Sequence, residues 1–61
     1  MCQSTVYLVK DGREEVVMED VSVVKPQGEE LLLVGMLGET KQIKAKIKEL
    51  QLMDHRILLE E

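Results

Sequence analysis

The chain has no Phe or Trp, and only one Tyr, one Cys, one His and one Pro among its 61 residues. Each shortage removes a class of function. Tyr7 alone cannot provide the succession of stacking platforms on which single-stranded nucleic acid is usually held. Cys2 alone cannot close an intrachain disulfide, and with His55 as the only imidazole it cannot complete a Cys/His zinc set within one chain. No nucleophile, base and orienting acid can be assembled from this inventory, so the chain is not expected to be an enzyme. Gly35 to Gly38 encloses Met36 and Leu37 with no lysine after it, which is a strand end and turn rather than a phosphate loop. The longest apolar run, Leu31 to Leu37, is far short of the roughly 18 residues of a membrane span. No basic flank and apolar stretch of the signal-peptide kind opens the sequence, so a cytoplasmic location with a reduced thiol is expected.

What is present is aliphatic. Leu, Val and Ile supply most of the 44% hydrophobic content, enough for a β-rich core and too little for a deep substrate cleft. A chain of this size buries only about 60% of its unfolded surface, while ordering costs about 1.5 kcal/mol per residue, so the balance lies near zero. Such a domain needs a staple. With disulfides and a one-chain metal site excluded, oligomerisation is the expected one.

Turn signals fall at short intervals, the pattern of an all-β fold. Asp11-Gly12 tolerates the positive φ angles of a type I′ turn and predicts a hairpin between strands at about 3–10 and 13–18. Glu19-Asp20 separates this second strand from Val21 to Val24, and Pro26 with Gln27-Gly28 ends the third. Leu31 to Leu37 reads as a fourth strand buried on both faces, followed by a turn at Gly38-Glu39. In the stretch 40–53, Ile43, Ile47 and Leu50 have helical spacing, yet Ile43, Ala45 and Ile47 also alternate with polar residues. A strand with a bulge near Glu49, shifting the phase to Leu50 and Leu52, is expected there because Asp54-His55 forms a turn before Arg56 to Leu59. Residues 1–61 thus predict one domain, a small five- or six-stranded antiparallel β-barrel, SH3-like or similar, as a homodimer.

Charge is unevenly divided. The net charge is −4, yet residues 40–61 carry a small positive excess through Lys41, Lys44, Lys46 and Lys48. On one strand, Lys44, Lys46 and Lys48 would share a face able to meet phosphates, with Tyr7 as the single stacking residue, which makes an RNA-binding module the alternative function. An isoelectric point near 4.9 opposes non-specific binding, and a solvated lysine face is the simpler reading. Met18, Met36 and Met53 read as core filler, and His55 as a solvated turn residue.

Cys2 carries the chemistry. Removal of the initiator methionine before a small residue would place a free α-amine beside its thiol. Thiolate, amine and the Gln3 backbone nitrogen then form five-membered chelate rings. One terminus fills part of a coordination sphere; two, related by a twofold axis, supply a planar sulfur and nitrogen set suited to Ni(II) or Cu(II) rather than Zn(II). If Met1 stays, the α-amine belongs to Met1 and the thiolate binds with deprotonated backbone amides instead.

Met1-Cys2 leading into Val6-Tyr7-Leu8, the Asp11-Gly12 turn, Asp20-Val21-Ser22-Val23 and the closing stretch from Ile43 to Leu59 with Asp54-His55-Arg56-Ile57 resemble the CooT family. These are small nickel-binding accessory proteins associated with maturation of carbon monoxide dehydrogenase, and related chains have been labelled predicted RNA-binding proteins. The resemblance implies a homodimer of β-barrel protomers that binds one Ni(II) through Cys2 of each chain and the backbone nitrogen of Gln3. It also implies a metal carrier or store whose partner is a metal-receiving enzyme or maturation protein. A structural dimerisation domain without ligand is the remaining alternative.

Overall fold

The computed structural model describes residues 3–61 and is built of strands, with no helix among them. Asp11 and Gly12 have φ of 55° and 75°, and Lys10 pairs with Arg13 on either side of them. This is the left-handed pair that a type I′ turn requires, and it joins β1 (Ser4–Lys10) to β2 (Arg13–Gln27). A second two-residue loop, with Gly28 at φ 64°, joins β2 to β3 (Glu30–Gly35). The chain continues through β4 (Thr40–Ile43), β5 (Lys46–Gln51) and β6 (Arg56–Glu60).

β2 is one 15-residue strand rather than two. The expected break at Glu19-Asp20 is instead a bend: Asp20 takes φ 54°, and the ladder shifts register beside it. Asp tolerates this conformation because its short polar side chain meets little steric conflict there. The first half of β2 pairs with β1 and the second half with β3, so the bend turns one strand around a corner. Pro26 lies inside the strand opposite Leu31 rather than ending it. The run Leu31 to Leu37 is also shorter as a strand than expected. Gly35 ends it, since the Gly35 amide donates to the Glu39 carbonyl and the Gly38 amide to the Gly35 carbonyl. Met36 and Leu37 are thereby left in an exposed turn.

The strand order is β4-β3-β2-β1-β6-β5. Four neighbouring pairs are antiparallel, but β1 and β6 are parallel, with Thr5 opposite Arg56 and Leu8 opposite Leu59. The sheet is therefore mixed, and it is not a closed barrel. β4 and β5 are its two edges, joined only by Lys44 and Ala45. The favoured two-residue hairpin turns need positive φ, and neither residue has it; the chain turns a corner from one edge to the other without forming a ladder. The sheet must curl for edges so joined to come together, and the curl encloses Val6, Val21, Leu31, Leu33, Ala45 and Leu59.

The stretch 40–53 is extended, in two pieces. In β5, Ile47 lies opposite Leu59 and Leu50 opposite Ile57, while Glu49 stands opposite Leu58. Lys48 is the extra residue of a bulge, one position from that expected, and it turns Ile47 and Leu50 to the same side.

Candidate functional site

Met1 and Cys2 lie outside the described residues, so the expected thiolate ligand is known here by its place in the sequence. The description begins at Gln3, which is partly buried and directly precedes β1. Gln3 and Ser4 are among the residues lining an open groove of about 410 Å³. The rest of the lining is Val21 to Val24 of β2, Ser22 included, Met36 of the turn after β3, Ile47 and Leu50 of β5, Leu52 just beyond it, and Ile57 of β6. The corner in β2 and the bulge in β5 together aim these side chains inward from strands far apart in sequence. The core does not cover them: Met36, Leu50 and Leu52 are each more than half exposed.

The opposite side of the β1–β6 pair carries a polar cluster that sequence reading missed. The Arg56 guanidinium lies 4.7 Å from the centroid of the Tyr7 ring. It donates to Gln51 Oε1 at 3.1 Å and forms an ion pair with Glu14. Alternation in β1 and β6 puts Tyr7 and Arg56 on one face, but only the parallel register brings them together. Arg56 thereby occupies one face of the Tyr7 ring.

The three lysines considered for phosphate contact do not share one regular strand face. Lys44 lies in the corner between β4 and β5, 3.9 Å from Glu29, with both side chains largely exposed. Lys46 is paired in register with Glu60, and Lys48 is the bulge residue. Lys41 reaches instead to the carbonyl of Val17 at 3.4 Å, on the first half of β2. His55 is a turn residue with φ 54°, and its carbonyl accepts from the Thr5 amide at 2.9 Å. Among the described residues, no three His, Cys, Asp or Glu side chains converge as a metal site would require. No helix among them is long and apolar enough to cross a membrane.

The family model described as CO dehydrogenase accessory protein CooT matches residues 1–60. An uncharacterized protein of Methanocaldococcus jannaschii is 30% identical over 60 residues, covering 98% of each chain. The crystal structure of a protein assigned as CooT from Carboxydothermus hydrogenoformans superposes with a TM-score of 0.91 at 47% identity, covering 97% of this chain and 95% of that one.

Proposed function

Since the chain belongs to the CooT family of CO dehydrogenase accessory proteins, we propose that it binds Ni(II) between two copies of itself, through Cys2 of each, and carries or stores the metal for that enzyme. Its role is accessory rather than catalytic. The observation that carries the nickel reading is the position of the only cysteine, second in a chain matched by the family model from residue 1.

The chemistry supports a shared site. A thiolate with the adjacent Gln3 backbone nitrogen offers donors of the type a planar Ni(II) ion accepts, and two such termini double the set. In this reading the remaining donors come from the terminus of the second chain. A site made from two chain ends exchanges ligands readily, as a carrier must when it passes metal to its recipient. Metal competes with protons for thiolate and amide nitrogen, so binding releases protons.

Calorimetric titration of the purified protein with Ni(II) tests this reading. The parent should bind one ion per two chains, and Cys2→Ser should bind far more weakly. Equal affinity and stoichiometry in the two proteins would exclude Cys2 as the ligand.

A further inference from the structure

The turn after β3 is tied down by three backbone hydrogen bonds. The Gly35 amide donates to the Glu39 carbonyl at 2.8 Å, the Gly38 amide to the Gly35 carbonyl at 3.1 Å, and the Met36 amide to the Asp20 carbonyl, at the β2 corner, at 3.0 Å. A fourth bond comes from a side chain, since the Leu37 amide donates to Glu39 Oε1 at 3.1 Å. That bond folds the Glu39 carboxyl group back over Gly35. A Cβ on Gly35 would overlap this group, whose carbon and two oxygens are the three atoms nearest to it. At Gly12, Gly28 and Gly38 glycine meets a positive φ and open space. Gly35 has no positive φ, so it is the folded-back carboxyl group that calls for glycine there.

We propose that Glu39 is a latch built into this turn: seated in the space left by Gly35, its carboxylate holds the Leu37 amide and fixes Met36 in the wall of the groove. Burial does little to hold these residues, because Met36 is 54% and Leu37 93% exposed. A turn with so few buried contacts opens locally unless hydrogen bonds close it. Among the described residues, neither Lys nor Arg forms an ion pair with Glu39, so the latch depends on an acceptor oxygen rather than on a charge partner. Gly35 and Glu39 act as one unit, the first as the seat and the second as the bolt. Through the Asp20 carbonyl the latched turn is also pinned to the corner of β2, so the two bends that shape this part of the groove are held together.

Residue-resolved amide exchange and methyl relaxation by NMR, with urea denaturation of the same proteins, test the latch, folding of each variant being checked by circular dichroism. Glu39→Ala should speed exchange of the Leu37 amide about fivefold, the net worth of one hydrogen bond. It should also lower the order parameter of the Met36 methyl group while leaving that of Met53, in the β5–β6 turn, as it was. Glu39→Gln should stay within about twofold of the parent, because its amide oxygen accepts the same bond. Gly35→Ala should match Glu39→Ala at Leu37, since the added methyl group expels the carboxyl group. As both changes break one contact, the double variant Gly35→Ala/Glu39→Ala should be about fivefold more stable, in its unfolding equilibrium constant, than the two single effects added together. Leu37 exchange or Met36 order unchanged in Glu39→Ala, a Glu39→Gln protein that behaves like Glu39→Ala, or additive single effects would overturn the proposal. If Gly35→Ala does not fold, the two Glu39 variants decide it alone.

Discussion

Arg56 covers Tyr7 across the parallel β1–β6 pair, its guanidinium 4.7 Å from the ring centroid, while the same side chain reaches Glu14 of β2 and Gln51 of β5. One residue thereby spans four consecutive strands of the sheet, β2-β1-β6-β5. A partly exposed ion pair adds at most about 1 kcal/mol and the cation–π contact about 0.5–1 kcal/mol. Arg56→Ala should therefore lower stability by about 1–2 kcal/mol in urea denaturation. Arg56→Lys should recover only part of this, because an ammonium cannot present the same planar fork to Glu14 and Gln51.

The corner in β2 is set by Asp20 at φ 54°. A β-branched residue meets its steric penalty there, so Asp20→Val should cost about 1–2 kcal/mol. Asp20→Gly should be neutral or slightly stabilising. Thermal denaturation of the pair, read against the parent, separates backbone strain from any loss of the carboxylate, because both variants remove the charge.

Leu33 and Leu59 are fully buried from opposite parts of the curled sheet. Truncating either to Ala should cost about 2–5 kcal/mol, comparable with the whole stability of so small a domain. Each variant should be largely unfolded when metal-free, and added Ni(II) should restore part of the native circular dichroism signal if metal binds only the folded state.

Nickel affinity should fall as pH is lowered, since protons compete for the thiolate and nitrogen donors, and it should change little with added salt. Charge reversal at Lys46 and Lys48 should leave it unaltered. Steep loss of RNA affinity with salt, removed by the same reversals, would mark the alternative reading; titration at two pH values and two salt concentrations distinguishes them.

Local signals made much of this fold legible. Asp11-Gly12 announces its turn because those two residue types tolerate the positive φ angles it needs, and the spacing of Ile47 and Leu50, taken as a strand, places a bulge within a position of where it stands. The stretch 40–53 reads as extended because the Asp54-His55 turn demands a partner for β6, but its division at Lys44 and Ala45 into two edge strands has no local signal. What depends on distant pairing was hidden. Nothing near Thr5 or Arg56 states that β1 and β6 run parallel, and without that register neither the Tyr7–Arg56 contact nor the open mixed sheet could be foreseen. Glu19-Asp20 reads as a break because a bend and a break use the same residue types. The groove was hidden for a similar reason: Val23 and Leu50 meet only after the β2 corner and the β5 bulge re-aim them. Cys2 was legible as chemistry through its position in the chain, and it lies outside the described residues.

Native mass spectrometry of the nickel-loaded protein bears most directly on the shared site, since it reports chain number and metal number in one species. The predicted result is a species of two chains with one nickel, absent when Cys2 is replaced by Ser. Nickel bound one ion to each single chain, or retained by the Cys2→Ser protein, would contradict it.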